Sequence, residues 1–315
     1  MNLGLATEEK DWQKWSLYKR IRLKISRMLS YFLLYKSIKG ANFIRERICK
    51  FIMPSPTTTT YICPTLFNVN VLVGPINGKG PESSLYYFGE YESGTLSVFK
   101  KFLCKHDIVL DVGAHIGFIS LVIANFVGEN GLVYAVEPHP KTYRILEENI
   151  RINKFKNIHP MNIALGSKVS KAKIYENYNI NRGSASLICP ENVDNRESRW
   201  QTKVTTIDTL IEKRKIKIPK LIKIDVEGFE LEVLKGAKKL VSSSQAPALC
   251  VEFSILHPTY GGNIHDIYNF IKETNSYLLF KLKRGKGVPS KLIKINNEKE
   301  LPNHDNVFCF LEKHL

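Results

Sequence analysis

Two rhythms of apolar residues run along this chain. From residue 107 onward, short apolar runs alternate with segments whose apolar positions recur every three or four residues. Ile108-Val-Leu110, residues 131–138, 158–163, 221–225 and 248–253 read as buried strands. Phe118, Ile119, Val122, Ile123 and Phe126 fall at the i, i+1, i+4, i+5, i+8 spacing of one helix face. Residues 229–240 and 264–274 read as further helices, the second capped by Asn263 or by nearby polar groups. Two last strands are expected near residues 277–283 and 306–311. The alternation predicts an α/β fold, a doubly wound and mainly parallel sheet with helices on both faces. Ahead of it, residues 67–73 and 84–88 read as short strands, and residues 92–99 as the start of a helix.

Residues 1–60 have a different composition, with 12 Lys and Arg against four acids. Trp12, Trp15, Leu17, Ile21, Ile25, Met28, Leu29, Phe32 and Leu33 recur at helical intervals among those charges, which predicts a basic, helical N-terminal extension. Such a helix can pack on the following domain, on a second subunit in a homo-oligomer, or on an anionic membrane face through residues 1–50. Residues 54–60, Pro-Ser-Pro-Thr-Thr-Thr-Thr, mark the boundary. The domain that follows, 61–315, opens with a strand-rich entry over 61–100. Residues 170–204 interrupt the alternation with a turn-rich, polar stretch, expected to be a substrate lid beside the pocket.

Candidate chemistry gathers where strands end. The strand 108–110 runs into Asp111 and a glycine-bearing turn, Gly113-Ala-His-Ile-Gly117; the next strand ends on Glu137, 24 residues after Gly113. Glycines free the backbone to bend and let a ligand approach, and an acid at the second strand's tip suits ribose hydroxyls. The turn reads Gly-x-x-x-Gly rather than the dinucleotide fingerprint G-x-G-x-x-G. Ligands of open α/β sheets bind beyond the carboxyl ends of the strands, which places Asp111, Glu137, Asn162, Asp225 and Glu252 around one crevice.

Several motifs in order carry a resemblance: Asp111-Val-Gly-Ala-His-Ile-Gly117, Glu137-Pro-His-Pro140, Asn162-Ile-Ala-Leu-Gly166, Thr205-Thr-Ile-Asp-Thr-Leu210, Leu221-Ile-Lys-Ile-Asp-Val-Glu-Gly228 and Glu230-Leu-Glu-Val-Leu-Lys-Gly-Ala237. Over roughly residues 86–256 the chain resembles the FkbM-type methyltransferase family, with His115 standing where Asn is also common. The resemblance implies a Rossmann-like fold of the class I kind that binds S-adenosylmethionine (SAM), and methylation of hydroxyls on sugars, glycans or small metabolites. It also implies cofactor contacts at Asp111, Gly113, His115, Gly117 and Glu137, adenine near Asn162 and Ala164, and a further acid, Glu92, near the cofactor.

Methyl transfer to oxygen needs alignment of donor and acceptor and a base for the hydroxyl proton. Asp225 and Glu227 are the leading candidates, with Glu252 and His257 behind them. Lys223 alternates with Asp225 on one strand face, while Glu230 and Glu232 read as solvated helix residues. Clustered carboxylates could also hold Mg²⁺, though no metal site is favoured. Tyr86, Tyr87, Tyr178, Tyr260 and His265 are further residues able to line a sugar site.

The net charge of +16 fits nucleic acid, an anionic membrane or an acidic substrate, and equally a lysine-rich genome. Against a nucleic-acid methyltransferase, the segment after the fourth strand reads Asp225-Val-Glu-Gly228, not the Asn/Asp-Pro-Pro-aromatic segment of base N-methyltransferases; no nucleic-acid partner is expected. A nicotinamide oxidoreductase would share the strand-end acid but not the missing fingerprint, and a non-catalytic SAM-binding module would share the whole turn. Scattered cysteines and the lack of a spanning apolar run give the expectation of a cytoplasmic protein, peripheral at most to the inner face of the membrane.

Overall fold

The computed structural model describes residues 12–35, 41–56, 60–75, 80–175, 187, 200–255 and 263–315. Two helices, α1 (Leu17–Tyr35) and α2 (Ala41–Ile52), precede a hairpin of β1 (Tyr61–Pro64) and β2 (Asn70–Val73) and two more helices, α3 (Gly80–Phe88) and α4 (Ser93–Phe102). Next come β3 (Ile108–Val112), α5 (Phe118–Val127), β4 (Leu132–Val136), α6 (Pro140–Ile152) and β5 (Ile158–Met161). A small three-stranded sheet of β6 (Ala164–Leu165), β7 (Ser170–Ile174) and β8 (Trp200–Thr205) follows. The remainder is α7 (Ile207–Glu212), β9 (Leu221–Ile224), α8 (Glu230–Lys235), α9 (Lys238–Val241), β10 (Ala248–Ser254), α10 (Ile264–Thr274), β11 (Leu278–Leu282), β12 (Leu292–Ile295) and β13 (His304–Phe310).

Eight strands form the main sheet in the order β12-β11-β13-β10-β9-β3-β4-β5. The ladders from β10 through β5 are all parallel, while β13 enters antiparallel between β10 and β11. The result is a mixed, mainly parallel sheet. Alternate residues of each strand feed two cores. Val109, Val133 and Ala135 pack under α4, α5 and α6; Leu110, Val112, Tyr134 and Val136 pack under α7 to α10. Burial on both faces is why these strands read as continuous apolar runs. The chain winds from β3 toward β5 on one side and returns through β9 and β10 on the other. The crevice therefore opens at the tips of β3 and β9, where the strand order reverses.

Local chemistry departs from the expected elements at a few points. Residues 84–88 are helical, not extended. Gly80-Pro81-Glu82 supplies a proline and an acid in a first turn, and Leu85, Tyr86 and Phe88 are buried by helix packing. The strand expected over 67–73 shortens to β2, and its partner β1 had no clear alternation to announce it. The helix expected over 229–240 breaks into α8 and α9. At the break the Gly236 carbonyl accepts from the N–H of Asp208 (3.0 Å), and a Cβ on Gly236 would lie 2.0 Å from the Gly166 carbonyl oxygen. Strand β12 is not among the expected elements; among the described residues it pairs along its length only with β11, and it is half exposed. The flanks of the expected lid, β7 and β8, are an antiparallel ladder, while most of its interior lies outside the described residues.

The N-terminal helix is oriented by polar contacts. Ser26 donates to the Tyr87 carbonyl (2.7 Å), and Arg27 donates to the carbonyls of Pro64 (3.0 Å), Leu85 (3.1 Å) and Tyr86 (2.9 Å). The guanidinium thus sits at the C-terminal end of α3, where a cation is favourable. Burial pulls it down to about 10, still charged at neutral pH. Gly89 allows the approach, with φ +71° and a hypothetical Cβ 2.4 Å from Arg27 Nε. Arg27→Met is expected to take a donor from three carbonyls, leaving Leu85 with the Gly89 N–H (3.0 Å), and to lower the unfolding free energy by about 3 kcal/mol, read as a lower urea midpoint at unchanged slope.

Candidate active site

The turn after β3 is built by backbone conformation. Gly113 (φ +83°) and Ala114 donate their N–H groups to the Val136 carbonyl at 3.0 and 2.9 Å, tying the turn to the tip of β4. A Cβ on Gly113 would stand 1.8 Å from the Asp225 carbonyl oxygen, so only glycine lets the turn and the tip of β9 meet. Gly117 (φ +89°) caps α5, and a Cβ there would meet Leu146 Cδ1 at 2.4 Å. His115, also left-handed at φ +51°, donates its N–H to Glu137 Oε2 (2.9 Å); the N–H of His139 reaches Glu137 Oε1 (2.9 Å).

Burial outweighs those two donors and pushes the Glu137 carboxyl up to about 7. Asn162 Nδ2 donates to the carbonyls of Glu137 (2.9 Å) and Pro138 (3.1 Å), so it braces the acid-bearing tip, while Ala164 lines the cavity itself. Asp111 is fully buried. Its Oδ2 accepts from Ser120 Oγ (2.5 Å), and its Oδ1 has no partner among the described residues. Burial raises its carboxyl against the pull of Lys223.

Across the crevice, two lysines hold the acids. Lys223 Nζ lies 3.0 Å from Asp225 Oδ2. Lys286 Nζ lies 2.5 Å from Glu252 Oε1 and 3.4 Å from Glu92 Oε1. Burial alone would raise Asp225, but Lys223 and Lys286 overcome it and hold this carboxyl below its ordinary value. Glu252 goes the other way: burial and then the charge of Asp225 raise it well above the usual range, with Lys286 opposing. His304 Nδ1 lies 3.8 Å from Glu252 Oε1, and burial followed by Lys286 lowers its imidazole. The cavity enclosed between the two halves measures about 560 Å³ and is lined by Asp111, Gly113, His115, Glu137, Ala164, Lys223, Asp225, Glu227 and Glu252, joined by Tyr91, Lys286 and His304.

Other expected residues stand elsewhere. Glu92 does not line the cavity; it lies behind Lys286, accepting from Asn306 Nδ2 (2.8 Å). Gly117 and Asn162 shape the wall from behind. Glu230 is not a solvated helix residue: it is buried, and its Oε1 accepts from the N–H groups of Val226 (2.9 Å) and Gly228 (3.1 Å), bracing the turn that carries Glu227. Glu232 accepts from Ser167 and from Lys235 (2.6 Å). Tyr86 is core, its hydroxyl on the Pro54 carbonyl (2.9 Å); Tyr87 packs edge-on against Tyr86 away from the cavity. His265 pairs with Glu298 on the surface (2.7 Å). Tyr178, His257 and Tyr260 lie outside the described residues.

Lys286 had been hidden in a Lys-Arg-Gly-Lys-Gly stretch that reads as a solvated turn. The fold pulls that loop inward: the Lys286 N–H donates to Asp305 Oδ1 (2.8 Å) and its carbonyl accepts from the Thr95 N–H (3.2 Å). Gly94 permits this, since a Cβ there would lie 2.7 Å from the Lys286 carbonyl oxygen. The flanking glycines 285 and 287 were the available signal. Among the described residues no group of three or more His, Cys, Asp and Glu is arranged to hold a metal ion; the acids face lysines instead.

Comparison with known proteins adds to this geometry. The methyltransferase FkbM domain family matches residues 111–279. The hexuronic acid methyltransferase AglP of Haloferax volcanii is 27% identical over 169 residues, covering 54% of this chain and 63% of that one. A tRNA(Phe) (4-demethylwyosine(37)-C(7)) aminocarboxypropyltransferase of Methanocaldococcus jannaschii is 37% identical over 57 residues, covering 18% of this chain and 22% of that one. The crystal structure of methyltransferase FkbM from Methylobacillus flagellatus KT is similar at 14% identity and a TM-score of 0.43, covering 96% of this chain and 62% of that one. The chain thus spans less than two thirds of the length of each of these relatives.

The buried turn acid gives a pH signature. Burial pushes Glu230 up to about 7 in the folded chain, from 4.5 when free. Its stabilising contribution is therefore complete below about pH 4.5 and lost as pH rises through about 7. Glu230→Gln keeps an oxygen for both N–H groups and removes the charge. Chemical denaturation from pH 4 to 8 is expected to show a flatter decline in the variant, which becomes the more stable protein at pH 8 by about 2 kcal/mol.

Proposed function

This chain belongs to the FkbM methyltransferase family, and we propose that it is a SAM-dependent methyltransferase whose acceptor is a hydroxyl of a sugar, in a glycan or a small metabolite. The observation that carries this reading is the charge of the cavity floor. Asp111, Asp225, Glu227 and Glu252 face the space with only Lys223 and Lys286 among them. Such a floor offers carboxylate acceptors to a cationic methyl donor and a sugar hydroxyl, and two isolated lysines in place of the run of cations that a polyphosphate backbone needs. The partial likeness to a hexuronic acid methyltransferase supports the same choice.

The residues present fit the cofactor. The partnerless Asp111 Oδ1, buried on the cavity wall, supplies an acceptor for the ammonium of the methionine end. Glu137, steered by two backbone N–H groups, supplies acceptors for the ribose hydroxyls. Ala164 leaves room for the adenine. When bound, SAM supplies an electrophilic methyl carbon whose sulfur leaves as a neutral thioether.

What the chain adds is alignment and a proton acceptor. Asp225 is a weak base, because two lysines stabilise its charged form. Glu252 has the stronger hold on a proton, raised by burial and by Asp225, and is assigned here as the base that takes the acceptor hydroxyl's proton. Lys286 stabilises its ionised form, and half-exposed His304 links it to solvent. Asp225 with Lys223 orients the acceptor; Glu227, on its left-handed backbone (φ +55°), is placed at the same mouth.

Calorimetric titration with SAM and S-adenosylhomocysteine tests the cofactor site. Glu137→Ala is expected to weaken binding about tenfold to hundredfold. Because ribose hydroxyls donate to the ionised acid, the wild-type affinity should rise with pH up to about 7 and level off above it, a dependence absent from the alanine variant. NAD binding in place of both adenosyl ligands would defeat the assignment.

Methyl transfer from labelled SAM should go to uronic acid-containing glycans or other hydroxylated sugars, not to tRNA. Glu252→Gln is expected to lower kcat about 10²- to 10⁴-fold with a small change in KM. Asp225→Asn should act mainly on KM for the acceptor. Transfer to tRNA alone would replace the sugar reading with a nucleic-acid one.

A further inference from the structure

The first two helices are turned the unusual way round. The face of α1 that meets the rest of the protein carries Leu23, Ser26, Arg27, Ser30 and Leu34, held by the hydrogen bonds of Ser26 and Arg27. The opposite face carries Ile21, Ile25, Met28 and Phe32, at i, i+4, i+7 and i+11, all exposed and Met28 65% so. On α2, Ile44, Ile48 and Phe51 repeat the pattern, and Phe51 is 86% exposed. Of the 16 exposed large apolar side chains among the described residues, 11 lie on these two helices, so the apolar surface is concentrated rather than scattered.

The two helices form one surface. Cys49 Sγ on α2 donates to the Ser26 carbonyl (3.6 Å), and Arg22 on α1 donates to the carbonyls of Ile52 and Phe51, the latter at 3.2 Å. Charge around the apolar face is of one sign. Lys24 and Arg47 are exposed beside it, with Arg47 stacked over Phe43 at 4.8 Å. In residues 12–56 the only acid is Glu46, paired with Lys50 (2.6 Å).

We infer that the α1–α2 face docks on the surface of an anionic phospholipid bilayer, its apolar side chains at the acyl boundary and its basic groups among the headgroups. The chemistry is that of an interfacial helix pair; no described helix is long and apolar enough to cross a membrane. A second copy is the poorer occupant. A two-fold contact would set this face against itself, bringing Lys24 and Arg47 up to their own equivalents with no acid but Glu46 to offset them. Through Arg27 the docking helix is fastened to α3, whose Ser84 and Leu85 line the cavity, so membrane surface and cavity wall belong to one packed unit.

The test is cosedimentation of the full chain with vesicles of phosphatidylcholine alone and of equal parts phosphatidylcholine and phosphatidylglycerol, at low and high salt. Binding is expected on the anionic vesicles only and should weaken as salt rises. Lys24→Glu with Arg47→Glu should weaken it by at least about twenty-fivefold, fivefold for each cation removed. Ile21→Ser with Met28→Ser should abolish it. Both pairs are exposed, and SAM binding at wild-type affinity would show that each variant is folded. No binding to anionic vesicles, or binding that ignores lipid charge, would overturn the inference. So would a dimer in light scattering that Ile21→Ser with Met28→Ser converts to a monomer, which would assign the face to a second copy.

Discussion

The meeting of Gly113 with the Asp225 carbonyl is the contact on which the site depends. It brings the first βα turn against the tip of the strand that returns on the other side of the sheet. A side chain at residue 113 would put its Cβ 1.8 Å from that carbonyl oxygen and force those two tips apart. With the tips together, the turn's N–H groups reach the carbonyl of Val136 and the acid of Glu137, and the crevice at the strand reversal acquires a floor. Residues more than a hundred positions apart then share one cavity.

Closing the crevice buries carboxylates, and their energetics shape the chemistry. An isolated buried carboxylate is costly enough to take up a proton. Here the outcome differs from acid to acid according to where the two lysines sit. Asp225, beside Lys223 and within the field of Lys286, stays charged; Glu252, with one lysine and a neighbouring negative charge, is raised. The two environments push like groups apart, so that two carboxyls of one crevice differ in their hold on a proton. Neither acid differs from the other in residue type enough for sequence to make that division.

A second asymmetry concerns the outside of the molecule. The basic N-terminal segment turns Ser26, Arg27 and Ser30 inward beside Leu23 and Leu34 and leaves Ile21, Ile25, Met28 and Phe32 outside, because Arg27 satisfies the carbonyls at the end of α3 better than any apolar side chain could. Periodicity announces a helix here; it is silent on which face turns in.

The alternating pattern of residues 107–255 determined a great deal by itself: the parallel strands, their two-faced burial, and the acids and glycines at their tips, because strand polarity sends every carboxyl end to one edge. The cap at Asn263 was legible for the same local reason, its side chain meeting the N–H groups of His265 and Asp266. Tertiary structure alone decided the rest. Residues 84–88 became helical through packing that overrode their aromatic content. Glu230 went from a solvated helix position to a buried brace, and Glu92 and Asn162 stood behind the wall rather than on it. Lys286, from a loop that reads as solvent-facing, became the counter-charge of Glu252. Apart from the hydrogen bonds of Glu230, which are local, those outcomes rest on contacts between residues distant in the chain, where burial and charge depend on what the fold brings near.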